Sequence, residues 1–343
     1  VALAMHRFLF EEGHADQAFL DAHTNGASDL RRKAEPWTFE RAAEVSGVDA
    51  NVLRQVAERY AKASPALVKC GWGLERNRNG GSASAAVLAL PAVAGKFGVR
   101  AGGFTMSNSA SWNIERTWLE DAEPPTRAIN MNKVGRVLTE PEGAPVNVLF
   151  VYNCNPIAIL PDQQRVIRGF EREDLFTVVI EHFMTDTADH ADYVLPATTQ
   201  LEHLDVHTSY GHTDVLMNQP AIAPLGEAKP NSEVFRLLAQ RMGYVDACLQ
   251  ESDENIMRAA FKWDHPAMQD ISFDSLRQQG WQRLQGADAP YAEGGFLTPS
   301  GKCEFESAWL AAQGFDALPT YIPPHESVQS NAALAERYPL AMI

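Results

Sequence analysis

The sequence predicts an α/β fold, in which parallel sheets flanked by helices form a three-layer αβα arrangement, with an additional irregular α+β module. Residues 146–151 and 175–180 are nearly continuous apolar runs, rich in β-branched and aromatic side chains, as expected of strands covered on both faces. A helical pattern over about 163–172 separates them. Strand, helix and strand in this order are typical of a Rossmann-like parallel sheet.

The first 64 residues have a helical pattern. Thr38 is suited to begin a helix, and the apolar stripe that follows is broken only at Ser46-Gly47. Two helices joined by a glycine turn also occur in DNA-binding helix-turn-helix proteins. Acidic residues such as Glu40 and Glu44 are unsuited to a surface that faces phosphate, so the pattern favours a packing unit.

A predicted strand at 66–70 opens into a glycine-rich turn at 71–81, and one long helix is predicted over 82–97. This order can cradle a phosphate, because glycines allow close approach of the backbone and a helix start offers free N–H groups. Gly71 and Gly73 lack the third glycine of the dinucleotide fingerprint, which counts against a nicotinamide-dependent dehydrogenase. Residues 98–145 are irregular, and a stretch of that length favours a functional or cofactor-covering loop.

Polar clusters follow both apolar runs of the central sheet. Ligands of parallel sheets bind at the carboxyl ends of the strands, so these clusters predict a nucleotide-sized site. Asn155 is held extended by Pro156 and is either a ligand-reading amide or part of an Asx turn. Glu181 is either an acid that binds sugar hydroxyls or a solvated acid at the start of a loop.

Histidine and cysteine patterns give little support to a metal site. His203 and His207 are four apart, which would place them on one face of a helix, but no third ligand is fixed by position. The 4 cysteines form no C-x-x-C pair, so zinc and iron–sulfur frameworks are not expected in this segment, nor is reliance on disulfides.

Further strands are predicted at 193–196 and within 297–306, and helices near 252–262 and 273–280. Another helix is predicted where apolar residues share one face, at Val234, Leu237, Leu238 and Met242. The last residues, from Tyr338, have the pattern of a strand just beginning, and the chain starts at Val1 without a methionine. We therefore expect a fragment of a longer protein.

The charge and the missing motifs restrict the function. A formal net charge of -15 argues against nucleic acid or an anionic membrane as a partner, and no apolar run approaches the roughly 20 residues of a membrane span. The sequence has neither a G-x-S-x-G nucleophile motif nor a Walker loop. If the protein is an enzyme, a cofactor carries the chemistry and this segment supplies binding and orientation.

Several motifs together resemble the molybdopterin oxidoreductases of the dimethyl sulfoxide reductase and formate dehydrogenase type. They are Gly71-x-Gly73 with Arg76, Gly98-x-x-x-Gly102-Gly103, Asn153-x-Asn155-Pro156 and, most specifically, the run T-x-T-A-x-x-A-D-x-x-L-P that begins at Thr185. The resemblance covers essentially the whole chain.

The resemblance implies two-electron redox chemistry on a small substrate, in some members oxygen-atom transfer. It implies a molybdenum or tungsten ion held by two molybdopterin guanine dinucleotides, an electron-transfer partner, and an iron–sulfur cluster and metal ligand that would lie upstream of Val1. The fragment alone would be inactive. The residues that it implies for cofactor binding are Gly71, Gly73, Arg76, Ser107, Asn108, Ser109, Asn153, Asn155, Pro156, Glu181, His182, Phe183, Thr185, Thr187 and Asp192.

The resemblance also implies a division of the chain. Residues 1–108 would end one α/β domain, 109–243 would be the dinucleotide-binding half of another, 244–335 an outer module, and 336–343 the start of a further domain. We expect a cytoplasmic protein, or a periplasmic one if a twin-arginine leader lies upstream. A nucleotide-binding or helix-turn-helix regulator without catalysis stays open as the alternative.

Overall fold

Helices, short parallel sheets and one antiparallel sheet make up the described part of the chain. The computed structural model describes residues 1–107, 127–209, 211–286, 288–324, 327–328 and 330–340. The contacts divide the chain into two units, residues 1–107 with 286–343 and residues 108–285. We call them the first and the second unit.

The α-helices of the described ranges are α1 Ala2–Glu11, α2 Gln17–His23, α3 Ala27–Ala34, α4 Phe39–Ser46, α5 Ala50–Lys62, α6 Gly80–Leu88, α7 Leu90–Val93, α8 Val134–Thr139, α9 Pro156–Ile159, α10 Gln163–Phe170, α11 Asn231–Met242, α12 Asp253–Ala260, α13 Phe273–Gln279, α14 Ala308–Ala312 and α15 Ala332–Arg337. The strands are β1 Thr24–Asn25, β2 Leu67–Lys69, β3 Gly103–Thr105, β4 Val148–Tyr152, β5 Phe176–Glu181, β6 Tyr193–Pro196, β7 Asp205–His207, β8 Asp214–Asn218, β9 Trp281–Arg283 and β10 Cys303–Glu304.

The amino-terminal helices form the core of the first unit. The Thr38 side chain caps α4 and that of Asp49 caps α5, each accepting a hydrogen bond from a backbone N–H of the first turn. Gly47 ends α4 in the left-handed conformation that glycine tolerates best. Ala42 of α4 is buried in the same cluster as Leu53 and Ala57 of α5, so α4 and α5 form the predicted packing unit.

The long helix predicted over 82–97 is wrong in its bounds. Two helices, α6 and α7, meet at Ala89, because Pro91 has no N–H to continue the helical hydrogen bonding of α6. The region after them contains β3, which pairs in parallel with β2 and which the irregular sequence concealed. At Gly102 a Cβ atom would lie 2.4 Å from the carbonyl oxygen of Lys96, so only glycine fits this turn.

The second unit contains the predicted parallel sheet, in the order β4-β5-β6. One face of the sheet is packed by α8, α9 and α10 around a core that includes Val151, Val166 and Val179. On the opposite face Tyr152 contacts Phe235 of α11 at a ring-centroid distance of 5.2 Å. Helices on both sides of a parallel sheet make this the predicted three-layer α/β fold.

The two faces of the parallel sheet are not equally covered by helices. β5 is buried at Val178, Val179 and Ile180, as its apolar run predicts. Val148 and Phe150 of β4, on the face that α11 approaches, are 56% and 38% exposed. The expectation that both apolar runs are covered on both faces is therefore wrong for β4.

The order β7-β8-β9 describes an antiparallel sheet that the sequence did not reveal. Val215 and Met217 on one face of β8 are buried against α12 and α13. His207 belongs to β7, so His203 and His207 do not share a helix face and that premise for a metal site is wrong. No helix in the described part of the chain is both long enough and apolar enough to span a membrane.

Candidate functional site

The carboxyl ends of β4 and β5 bring two of the predicted clusters to one edge of the sheet. Tyr152 pairs with Ile180, so Asn153 and Glu181 each lie one position beyond these partners. Glu181 is in register with Pro196 of β6. We call this edge, with Asn153, Asn155, Glu181 and His182, the carboxyl edge.

Asn155 and Thr187 join the two loops that leave the sheet. The Thr187 hydroxyl donates to Asn155 Oδ1 at 2.6 Å and accepts from the Ile157 amide at 3.1 Å. The Thr187 amide also donates to Asn155 Oδ1, at 3.3 Å. Thr187 and Pro156 are buried, so these two predicted residues shape the loop from within and leave the exposed groups of the edge to their neighbours.

Glu181 and His182 are held in place by backbone groups. A carboxylate oxygen of Glu181 accepts from the His182 amide at 2.7 Å, and His182 Nε2 donates to the Thr198 carbonyl at 2.9 Å. The second carboxylate oxygen of Glu181 has no partner among the described residues, and the Glu181 side chain is only 17% exposed. The imidazole and the carboxylate therefore stand at the strand end in fixed orientations.

A buried acid fastens the loop behind His182. Glu202 accepts hydrogen bonds from the amide and hydroxyl of Thr199 at 2.7 and 2.8 Å, and from the Leu225 amide at 2.6 Å. These hydrogen bonds, led by that from the Thr199 amide, lower the pKa of the Glu202 carboxyl. This role of Glu202 was not predictable from the sequence, since a lone Glu in a loop has no distinguishing pattern.

Asn231, the first residue of α11, also belongs to the carboxyl edge and was not predicted from the sequence. Its Nδ2 donates to Asn153 Oδ1 at 2.9 Å, while its own Oδ1 is buried and has no hydrogen-bond partner in the described structure. Asn153 has a φ of 54°, in the left-handed region that Asn adopts more readily than most residues. The Pro-Asn start of a helix was the available signal.

Phe183 and Thr185 continue the loop after β5. Phe183 is 75% exposed and makes an edge contact with the His182 ring at 6.3 Å. The Thr185 hydroxyl accepts from the Ala188 amide at 3.3 Å. Phe183 offers an apolar surface beside the polar groups, while Thr185 closes the turn that carries Thr187.

Asp192 lies at the other end of the sheet. Its carboxylate accepts from the Thr177 amide at 2.7 Å, and Thr177 is near the start of β5. At about 3.3 Å per residue, Thr177 is about 13 Å from Glu181 along the strand. Asp192 therefore ties the start of β6 to β5 and is separate from the carboxyl edge.

In the first unit, Arg76 lines a cleft of about 1360 Å³ together with Arg78, Asn77, Asn79 and Ser82. Arg76 and Arg78 are exposed, and no carboxylate of the described residues pairs with either guanidinium. The cleft thus presents two unpaired cations and several amides.

Gly71 and Gly73 come shortly before Arg76 and the other cleft residues in the sequence. An added Cβ at either position would meet nothing within 4 Å, and neither has the backbone conformation that requires glycine. No contact among the described residues requires glycine at either position.

Ser107 lies at the end of the first described range, two residues after β3, and is partly buried. Asn108 and Ser109 lie outside the described residues. The structure therefore places one of the three residues of this predicted loop.

Over the described ranges, no group of three or more His, Cys, Asp or Glu side chains is arranged to hold a metal ion. All of the cysteines are free thiols. Burial raises the pKa of Cys303 to about 12, so this thiol stays protonated at neutral pH. The described groups of the carboxyl edge can bind and orient a polar ligand.

A family model described as molybdopterin oxidoreductase matches residues 1–241. The chain is 38% identical over 329 residues to a Bacillus subtilis protein named "Probable oxidoreductase YoaE", covering 94% of this chain and 48% of that protein. It is 27% identical to the dimethyl sulfoxide/trimethylamine N-oxide reductase of Cereibacter sphaeroides, covering 99% of this chain and 48% of the reductase.

The solved structure of acetylene hydratase from Pelobacter acetylenicus has a similar fold. The TM-score is 0.74 at 23% identity, over 99% of this chain and 52% of that one. The chain thus spans about half the length of the relatives that it matches.

Proposed function

The chain belongs to the molybdopterin oxidoreductase family, as the match over residues 1–241 shows, and on that premise we propose that it is part of an enzyme for two-electron redox chemistry on a small substrate. We further propose that the cofactor is a molybdopterin guanine dinucleotide and that the carboxyl edge binds its guanosine end. The observation that carries this proposal is the joining of Asn153, Glu181 and the orphaned Asn231 Oδ1 at one strand end.

The chemistry of the edge fits a nucleoside. A carboxylate and an amide oxygen accept hydrogen bonds from ribose hydroxyls or from the N–H groups of a base, and the Asn153 amide can donate. The buried Asn231 Oδ1 is costly to leave unpaired, and a ligand N–H or O–H would satisfy it. Phe183, which is 75% exposed, supplies an apolar surface on which a base can lie.

The residues behind the edge keep these groups in place. Thr187 and Asn155 hold the loops after β4 and β5 together, and Glu202 fastens the loop that accepts the hydrogen bond of His182. A site held by such contacts loses little conformational freedom when a ligand binds. When bound, the cofactor supplies the redox-active metal; the described residues bind and orient its tail.

The cleft of the first unit supports a second part of the proposal. Arg76 and Arg78 have no acidic partner among the described residues, and paired guanidinium groups are suited to a pyrophosphate. We propose that this cleft contacts the other dinucleotide, with Gly71 and Gly73 allowing its close approach. Open space at both glycines is consistent with a neighbour from outside the protein.

Three further elements of the proposal concern the whole protein. We propose an electron-transfer partner, an iron–sulfur cluster elsewhere in the protein, and a cytoplasmic location with the periplasm as the alternative. Electron paramagnetic resonance of the full-length protein tests for the cluster, and cell fractionation tests the location.

The site proposal is tested by the variants Asn153→Ala and Glu181→Ala in the full-length protein. Acid hydrolysis releases GMP from a guanine dinucleotide, so the GMP content per mole of protein reports occupancy. We expect both variants to retain less GMP than the wild type, and Glu293→Ala, at an exposed position in the other unit, to retain as much. Wild-type GMP content in both edge variants would contradict the proposal.

A further inference from the structure

His6 of α1 is a histidine that the first unit encloses completely. Its side chain is 0% exposed, and Nε2 donates a hydrogen bond to the Ala86 carbonyl of α6 at 2.7 Å. Because a carbonyl can only accept, the neutral ring carries its proton on Nε2. Nδ1 is then a buried acceptor, and no group of the described structure donates to it. His6 thus ties two helices together through one ring nitrogen and leaves the other unsatisfied.

The helix that His6 holds, α6, lies outside the hydrophobic core of the first unit. No residue of α6, all of which the structure describes, belongs to the core cluster, and its buried residues are the small Gly80, Ser82 and Ala86. Its other polar tie joins Ser82 Oγ to the backbone of Thr320, 2.7 Å from the amide and 2.9 Å from the carbonyl oxygen. α1, in contrast, buries large side chains such as Leu9 in the core. If the two helices separate, α6 is therefore the one that moves.

No charged group compensates for a proton on the His6 ring. The helices α3, α5, α6 and α7 pack against α1, and α6 and α7 have no titratable side chain. On α1 itself, Arg7 and Glu11 pair with each other. Burial lowers the pKa of His6 to about 4, the hydrogen bond with the Ala86 carbonyl opposes this shift, and no charge contributes to it. The titratable residues of α3, of α5 and of the neighbouring loops, none of which pairs with the ring, are Asp29, Arg31, Arg32, Lys33, Arg54, Glu58, Arg59, Tyr60, Lys62, Lys96 and Tyr321.

We propose that His6 is a pH-sensitive switch, which holds α6 against α1 while the ring is neutral and releases this helix when the ring takes up a proton. The proton binds at Nδ1, where the new N–H has no acceptor and the charge is enclosed without a partner. Separation of α6 from α1 gives the charged ring access to water. Ala86 and its neighbours in α6 line the cleft that contains Arg76 and Arg78, so release of the helix opens one wall of this cleft. The switch belongs to the fold of the first unit and does not depend on which ligand the cleft binds.

Hydrogen exchange of the full-length protein, followed by mass spectrometry, tests the switch at residues 80–88. His6 binds a proton more weakly when α6 is closed than when it is open, so opening becomes easier as the pH falls from about 6.5 to about 4. The protection factor is the exchange rate of an unstructured chain divided by that of the protein. Between about pH 7.5 and about pH 5 we expect it to fall about 30-fold in α6.

Two variants show whether His6 is the group that titrates. His6→Gln keeps an N–H for the Ala86 carbonyl but takes up no proton, so the protection factor of α6 should not depend on pH in this way. His265→Gln, at an exposed histidine of the second unit, is the matched control and should behave as the wild type. A wild-type pH dependence in His6→Gln would overturn the proposal.

A low concentration of urea separates release of α6 from unfolding of the whole unit. Urea favours an opening in proportion to the surface that the opening exposes, so release of one helix depends little on urea and global unfolding depends on it strongly. We expect exchange of α6 to be nearly independent of urea and exchange of α5 to rise with it. A protection factor of α6 that is the same at both pH values, or that depends on urea as steeply as that of α5, would overturn the proposal. These wild-type measurements decide the matter even if His6→Gln does not fold.

Discussion

Replacing Thr187 by Val removes one hydroxyl from the centre of the loop network and leaves a side chain of similar shape. The hydroxyl donates to Asn155 Oδ1 at 2.6 Å and accepts from the Ile157 amide at 3.1 Å, and Thr187 is fully buried. Ile157 is 2% exposed, so its amide finds no water as a substitute. Two lost hydrogen bonds and one stranded donor lower the free energy of unfolding by about 2 to 4 kcal/mol.

Hydrogen exchange followed by mass spectrometry measures this loss at the site itself. If exchange at Ile157 occurs by opening of the loop, 2 kcal/mol corresponds to roughly a 30-fold faster exchange. Thr208→Val, at an exposed threonine, is the matched control and should leave the exchange of Ile157 unchanged. Wild-type exchange at Ile157 in Thr187→Val would show that the hydroxyl does not hold the two loops together.

Two further predictions concern the first unit. Burial lowers the pKa of His6 to about 4, below its ordinary value of 6.5, so the unfolded chain takes up the proton first and stability falls as the pH decreases from about 6.5 to about 4. The free energy of unfolding falls by about 3 kcal/mol over this range. In urea titrations, the free energy of unfolding of His6→Leu should therefore depend less on pH than that of the wild type. The same pH dependence in both proteins would show that the lowered pKa of His6 is not its cause. Gly102→Ala should destabilise the protein by about 2 kcal/mol, because its Cβ would meet the Lys96 carbonyl oxygen at 2.4 Å. The control Gly71→Ala should unfold at the same urea concentration as the wild type, since its Cβ would meet nothing within 4 Å. Equal stability of the two variants would show that the clash at Gly102 is not real.

The parallel sheet was predictable because its strands are long apolar runs with turn residues at their ends. Tyr152 and Ile180, each at or near the end of such a run, are paired in the structure, and the clusters after them lie at one edge. Asn155 was found by the same signal and Thr187 through the family resemblance, whereas the contact between them, 32 residues apart in sequence, depends on the folded loops.

Other features carried no comparable signal. β2 and β3 are three residues each, too short for a periodicity to separate strand from loop. The hairpin of β7 and β8 was hidden by its polar residues, and two histidines suggested a helix where β7 forms a strand. Asn231 was missed because its role depends on a contact with Asn153 across 78 residues.

Asp192 lies at the end of the sheet away from the carboxyl edge, and this placement also depends on the folded chain. The run from Thr185 to Pro196 was the most specific family motif, yet it starts beyond the carboxyl edge and returns to the beginning of β6. Its residues therefore cannot all face one ligand. Asp192 supports the sheet through the Thr177 amide, and Thr187 supports the loops, which gives this motif a structural basis.

We propose that this chain holds the nucleotide end of a molybdopterin guanine dinucleotide. The most direct measurement is elemental and nucleotide analysis of the purified full-length protein, by mass spectrometry for molybdenum and tungsten and by chromatography for GMP after acid hydrolysis. We expect one of the two metals together with about two GMP per metal ion, the number that two dinucleotides supply. Protein that contains neither metal and releases no GMP would contradict it.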